Sequence, residues 1–181
     1  VLTESNQNVA LPPMLVEKWK KEGRYEQEVA ELDAFFKKTG YPRAPKYYIM
    51  KWLADYIADF GIDGYRADTV KHTQEAIWKD FQAVCQTTFD EYKKNNPSKV
   101  LDNNEFFTVG EVYGYNIGSG RDYDFGDKKV DYYDNGFTSL INFDFRNEAK
   151  LPYEELFAKY NSILQNDLKG HTVMNYTTSH D

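Results

Sequence analysis

The alternation of helical and strand patterns from Lys46 onward constrains the fold of this chain more than any other feature. Apolar residues at helical spacing predict helices over residues 46–60, 74–95 and 152–168. Segments rich in β-branched and aromatic residues predict strands over residues 62–68, 105–111, 139–145 and 171–176. Helices that alternate with strands build βαβ units, so the pattern predicts an α/β fold with a parallel sheet.

Four predicted strands are too few to close a (β/α)8 barrel, which typically needs about 250 residues. The chain has 181 residues, begins without an initiator Met and stops inside a polar motif, so we expect a piece of a larger protein. An open doubly wound sheet is the alternative, but its usual glycine-rich turn after the first strand is missing. Residues 1–45 contain no strand alternation, and we interpret them as separate from residues 46–181.

Charge and cysteine content narrow the classes of partner. The formal net charge of -7 argues against nucleic acid and anionic membrane surfaces as partners. The sequence contains no apolar run of the length that a membrane span requires. Cys85 is the only cysteine, which excludes an internal disulfide. Its position among helical apolar residues predicts a buried, unreactive thiol.

The segment from Gly61 to His72 combines a short strand with a cluster of charge. Strand alternation places Arg66 and Asp68 on the same face. An adjacent arginine keeps a carboxylate ionised, and an ionised Asp at a strand end suits a nucleophile or a metal ligand. A structural Arg–Asp pair that caps the next helix is the alternative, and this segment alone leaves both open.

Three predicted strands run into carboxylates, which are Asp68, Glu111 and Asp181. In parallel α/β folds the carboxyl ends of the strands share one face, where active sites are built. Crowded carboxylates repel each other, which raises the pKa of at least one of them. Glu111 has no basic neighbour in sequence, so we expect it to hold the proton. One ionised and one protonated carboxyl group suit glycoside hydrolysis.

Three motifs carry a resemblance to the α-amylase family, glycoside hydrolase family thirteen. Gly61–His72 resembles its second conserved region, Val109–Glu111 the third and Thr178–Asp181 the fourth. Residues 132–137, ahead of residues 141–144, resemble the bacterial periplasmic-type or secreted α-amylases. The first conserved region is absent, and Thr-Ser stands where the fourth region usually has an aromatic residue and Asn.

The resemblance implies part of a (β/α)8 TIM barrel, roughly strands four to seven, over residues 46–181. It implies that residues 1–45 are the tail of the small domain inserted after strand three, together with the residues that lead into the barrel. It implies that Asp68 is the nucleophile, Glu111 the acid/base and Asp181 the stabiliser of the transition state. Substrate contacts are implied for Arg66, Lys71, His72, His180 and Tyr113. Calcium is the implied cofactor, with the backbone carbonyl of His72 as a ligand.

The function that the resemblance implies is retaining hydrolysis of internal α-1,4-glucosidic bonds in starch, glycogen or maltooligosaccharides. A retaining mechanism predicts carboxyl groups of Asp68 and Glu111 about 5–5.5 Å apart. We expect a monomeric, secreted or periplasmic protein that acts on α-glucans, and an isolated 181-residue fragment without activity. The alternatives are a transglycosylase or a cyclodextrin- or neopullulan-cleaving enzyme of the same family, a Mg²⁺-dependent enolate-forming barrel enzyme, and a non-catalytic sugar-binding domain.

Overall fold

A computed structural model describes residues 4–179 of the chain. The chain divides into two compact units, Val1–Phe60 and Gly61–Asp181. Within the described part, none of the helices combines the length and apolarity that crossing a membrane requires. The predicted boundary between residues 45 and 46, where the tail of an inserted domain would meet the barrel, stays a prediction.

Within residues 4–60 the first unit has three helices, and the third lies close to the helix predicted over residues 46–60. They are α1 (Pro13–Lys21), α2 (Tyr25–Thr39) and α3 (Pro45–Phe60). The apolar faces bury Trp19, Leu32 and Ile57. Helix α2 ends at Gly40, whose φ of 71° is left-handed and suits glycine. None of the predicted site residues lies in this unit.

The second unit is built on a four-stranded parallel sheet, which confirms the predicted α/β fold with a parallel sheet. Its strands lie in the order β1-β2-β5-β6. They are β1 (Gly64–Ala67), β2 (Phe107–Gly110), β5 (Ser139–Asn142) and β6 (Thr172–Asn175). Each strand is shorter than predicted: β5 ends three residues early, and the other three strands lose residues at both ends.

Gly64 permits the close approach of β1 and β2. It lies opposite Phe107 in the register. A Cβ atom at Gly64 would lie 2.3 Å from the Phe107 carbonyl oxygen, far inside van der Waals contact. The contact between β1 and β2 therefore requires glycine at this position.

Three helices accompany the sheet in this unit. They are α4 (Glu75–Asn95), α5 (Phe145–Glu148) and α6 (Tyr153–Gln165). Leu156 and Tyr160 of α6 pack into the same buried cluster as Leu140 of β5. Cys85 of α4 is fully buried, as predicted, and burial raises the pKa of its thiol to about 12, while its lack of reactivity stays a prediction.

The pattern that predicts a helix over residues 74–95 places Thr73 at its N-cap, but Thr73 does not cap helix α4. Residues Val70–His72 form a 3-10 helix, and the Thr73 amide donates to the Val70 carbonyl to close that turn. Helix α4 then begins at Glu75, after Gln74, and no side chain caps it.

A small antiparallel hairpin in the second unit was also missed by the sequence pattern. Strands β3 (Asp122–Asp124) and β4 (Lys129–Asp131) pair within a stretch for which no strand is predicted. Each strand has only three residues, so neither produces a detectable alternation.

Candidate active site

Asp68 and Glu111 lie side by side at the carboxyl ends of β1 and β2. They follow directly after the paired residues Ala67 and Gly110. The Glu111 amide donates to the Ala67 carbonyl at 2.9 Å, and the Val70 amide donates to the Glu111 carbonyl at 3.0 Å. The backbone of Glu111 therefore holds the chain on both sides of Asp68.

Arg66 bridges the two carboxyl groups. Its Nη1 lies 3.2 Å from Asp68 Oδ1, and its Nη2 lies 2.9 Å from Glu111 Oε2. Sequence reasoning predicted the contact with Asp68 but missed the contact with Glu111, which exists only because the two strands pair. Arg66 thus supplies one positive charge to two acids.

The two carboxyl groups differ in their surroundings. The Glu111 side chain is 8% exposed, whereas the Asp68 side chain is 63% exposed. A hydrogen bond with Asp68, followed by burial and the Asp68 charge, raises the pKa of Glu111. The Thr69 amide and the Arg66 charge oppose this rise without cancelling it. The pKa of Glu111 is therefore shifted in the direction expected for it, while its protonation state and its catalytic role stay predictions.

Thr69 adopts an unusual backbone conformation beside Asp68. Its φ is 49°, and within residues 4–179 it is the sole non-glycine residue with a positive φ. A β-branched residue rarely adopts this left-handed conformation. In this turn the Thr69 amide hydrogen-bonds to the Glu111 carboxyl group. Sequence reasoning missed Thr69, since threonine carries no signal for a left-handed turn.

Lys71 and Tyr113 contact each other next to these acids. Lys71 Nζ donates to the Tyr113 carbonyl at 2.9 Å and to the Tyr123 hydroxyl at 2.9 Å. The same ammonium lies 5.4 Å and 5.2 Å from the ring centroids of Tyr113 and Tyr123. The expectation for Lys71 did not include Tyr123, which belongs to the hairpin that the sequence did not reveal.

Three predicted site residues remain, and two of them lie outside the described residues. His72 is exposed, and its backbone amide donates to the Thr69 carbonyl. His180 and Asp181 lie outside residues 4–179, so their roles stay predictions. Among residues 4–179, no three or more His, Cys, Asp or Glu side chains form a group that could hold a metal ion. The role of the His72 carbonyl as a calcium ligand stays a prediction.

A cleft of about 210 Å³ opens above Arg66 and Glu111. Its other lining residues are Ile141, Phe143, Met174, Tyr176, Thr178 and Ser179. Phe143 packs edge-on against both Tyr113 and Tyr176, with ring centroids 5.1 Å and 5.6 Å apart. The cleft thus combines a buried acid whose pKa is raised, an arginine and two aromatic side chains.

Comparison with known proteins points to one family. Over 140 residues, 76% of the chain, the sequence is 34% identical to the periplasmic α-amylase of Escherichia coli strain K12. The chain therefore belongs among the α-amylase-like proteins. This α-amylase-like chain spans 19% of the length of that relative. No protein-family model matches it.

Two solved structures share the fold of the α-amylase-like chain. An α-amylase from Anoxybacillus matches with a TM-score of 0.51 and 21% identity, over 75% of this chain and 26% of that one. The α-amylase of Geobacillus thermoleovorans, solved in complex with acarbose, matches with a TM-score of 0.51 and 18% identity, over 75% of this chain and 27% of that one. At these identities the comparison concerns the fold alone.

Proposed function

We propose that this chain carries the nucleophile and the acid/base of a retaining α-glucan hydrolase. The observation that carries the proposal is the Arg66 bridge between exposed Asp68 and buried Glu111, whose pKa is raised. The proposed substrates are starch, glycogen and maltooligosaccharides, cleaved at internal α-1,4 bonds.

In the first step, the Asp68 carboxylate attacks the anomeric carbon and forms a covalent glycosyl-enzyme. The bond from that carbon to the departing oxygen breaks, and Glu111 gives its proton to this oxygen. In the second step, the Glu111 carboxylate takes a proton from water, whose oxygen attacks the anomeric carbon and releases Asp68. We assign Asp181 to stabilise the positive charge that develops on the sugar.

The contact between the two acids supports retention over inversion. An inverting enzyme must fit a water molecule between its carboxyl groups, which requires about 6.5–9.5 Å. Asp68 and Glu111 instead interact directly, and this interaction raises the pKa of Glu111, which supports the shorter spacing of a retaining pair. Arg66 also disfavours the Mg²⁺-dependent alternative, because its guanidinium competes with a metal ion for both carboxylates.

We also propose that β1, β2, β5 and β6 are strands four to seven of a (β/α)8 barrel. The support is their parallel pairing in chain order, with helices between most of them. In this arrangement residues 1–45 belong to the tail of a small inserted domain and lead into the barrel. The full-length protein is proposed to bind Ca²⁺, with the His72 carbonyl as one ligand, and to act as an exported monomer.

The substrate contacts belong to the same proposal. Lys71, His72 and Tyr113 are assigned to the side of the cleft that holds the leaving group. Arg66 and His180 are assigned to the sugar whose bond is cleaved. A crystal structure of the full-length protein with an α-glucan would test these positions.

The first test is reducing-sugar release from soluble starch by the full-length protein and its Glu111→Gln variant. Loss of a general acid is expected to lower the rate by about 10²–10⁴-fold. Glu105→Gln is the matched control, since Glu105 is exposed and precedes the opposite end of β2. Full activity of Glu111→Gln would contradict the acid/base assignment. Chromatography of the products tests endo-action, which a product of glucose alone would exclude.

A further inference from the structure

We propose that Tyr123, on the β3–β4 hairpin, is a positioning residue for the leaving-group side of the active site. The inference rests on the proposed function, in which Lys71 and Tyr113 contact that side. The resemblance to the α-amylase family assigns no role to Tyr123, and the sequence analysis did not identify it as a site residue.

Three polar groups form a closed triangle next to the acids. Lys71 Nζ donates to the Tyr123 hydroxyl and to the Tyr113 carbonyl, both at 2.9 Å. The Tyr123 hydroxyl donates to the same Tyr113 carbonyl at 3.1 Å. The Tyr123 oxygen therefore accepts from the ammonium and donates to the carbonyl, so its removal loosens two sides of the triangle.

The hairpin that carries Tyr123 is fixed at both strands. Val130 of β4 is 4% exposed and packs in the core of the second unit. Lys128 pairs with Glu75, in the first turn of α4, at 3.0 Å and 3.1 Å. The Tyr123 ring packs edge-on against Phe125, with centroids 4.9 Å apart. The hydroxyl is therefore presented from an anchored element.

The triangle connects the two segments that hold the proposed catalytic acids. Lys71 lies three residues after Asp68, and Tyr113 lies two residues after Glu111. The Tyr113 side chain is free to meet a ligand, since the residue is 57% exposed. Holding the Tyr113 carbonyl constrains the backbone from which its ring projects, and Phe143 packs edge-on against that ring. Tyr123 is thus expected to act on substrate affinity through Lys71 and Tyr113.

The test uses the full-length protein and a Tyr123→Phe variant, which removes the hydroxyl and keeps the ring. We expect KM for maltoheptaose to rise about two- to tenfold, the range for one hydrogen bond, while kcat stays close to that of the parent. The matched control is Tyr132→Phe, which removes a hydroxyl next to β4 from a ring that packs on Phe137. The control is expected to leave KM unchanged.

A substrate with a small leaving group separates positioning from a general structural effect. With α-maltotriosyl fluoride the departing fluoride does not reach Tyr113, so Tyr123→Phe should leave kcat/KM unchanged. An equal loss on both substrates would overturn the proposal. In a Lys71→Met background, Tyr123→Phe should have no further effect on KM, because coupled residues are non-additive. Additive effects would overturn it as well.

Calorimetry separates this proposal from the proposed function. Binding of maltoheptaose is compared between Glu111→Gln and the double variant Glu111→Gln/Tyr123→Phe, so no turnover is needed. A two- to tenfold weaker Kd in the double variant is expected, by the same hydrogen-bond range of about 0.5–1.5 kcal/mol. Equal affinities would overturn the role of Tyr123. If the full-length protein does not hydrolyse starch but the two variants differ in affinity as expected, only the catalytic proposal is overturned.

Discussion

The Arg66 guanidinium lies 2.9 Å from the Glu111 carboxylate, although 45 positions separate the two residues in the chain. The same guanidinium also reaches Asp68. One cation thus holds two acids that would otherwise repel each other, and it opposes the rise in the pKa of Glu111.

Arg66→Met is expected to lower kcat/KM on starch by about 10²-fold, the cost of losing one charged donor at a reacting centre. It should also change the pH profile. Glu111 must be protonated to act as the acid, so activity falls as the pH rises through its pKa. Because Arg66 lowers that pKa, its loss moves the basic limb of the profile to higher pH.

The control for this variant is Arg146→Met, since Arg146 is exposed on α5. The pH dependence of kcat/KM should be unchanged in the control. A basic limb that stays in place or moves to lower pH in Arg66→Met would contradict the electrostatic role of Arg66.

Asp68→Asn is expected to lower the pKa of Glu111, because the hydrogen bond with Asp68 and its charge both raise it. The measurement is a ¹³C NMR titration of labelled glutamate carboxyl groups in the full-length protein. Asp63→Asn serves as the comparison, since Asp63 is exposed and precedes β1. A Glu111 pKa that rises in Asp68→Asn would refute this account of the pair.

The retaining mechanism predicts a covalent intermediate on Asp68. A 5-fluoro-α-glycosyl fluoride slows hydrolysis of the glycosyl-enzyme, so the full-length protein should accumulate an adduct. Mass spectrometry of a protease digest should place the added mass on the peptide that contains Asp68. An adduct on another carboxylate would reassign the nucleophile, and Asp68→Asn should form none.

Gly64→Ala is expected to destabilise the protein by about 1–3 kcal/mol, the usual cost of overpacking. The added Cβ would lie 2.3 Å from the Phe107 carbonyl oxygen, and backbone cannot move aside easily. Thermal unfolding of the full-length protein checks this as a lower Tm. Gly118→Ala is the control, because its Cβ would meet only the flexible Asn116 side chain, at 3.2 Å. Equal Tm values would show that the strands can separate without cost.

Cys85 is expected to resist alkylation by iodoacetamide at neutral pH in the folded protein. Burial raises the pKa of its thiol to about 12, and only the thiolate reacts. Mass spectrometry should detect labelling after denaturation in guanidinium chloride. Rapid labelling of Cys85 without denaturant would mean that α4 opens readily in the native state.

The sequence predicted those parts of the fold that depend on long periodic patterns. Helix α4 repeats apolar residues over about six turns, and the predicted helix begins only one residue too early. The β3–β4 hairpin was missed because strands of three residues are too short to show a period. Likewise, sequence proximity revealed the pairing of Arg66 with Asp68, but the contact with Glu111 depends on strand register.

The candidate site was predicted unevenly for the same reason. Asp68 and Glu111 could be found because each stands at the end of a strand inside a recognisable motif. Thr69 and Tyr123 could not, since the role of each comes from the backbone turn or from a tertiary contact. Residues that act through geometry alone leave no pattern in a single sequence.

The two backbone hydrogen bonds of Glu111, to Ala67 and from Val70, have a consequence for motion. They join the backbone segments around Asp68 and Glu111 into one hydrogen-bonded unit. When this end of the sheet fluctuates, Asp68 and Glu111 travel together, so the gap between them changes far less than the position of either acid. Such a unit can tolerate a mobile substrate channel around it, because the spacing on which the chemistry depends is set locally.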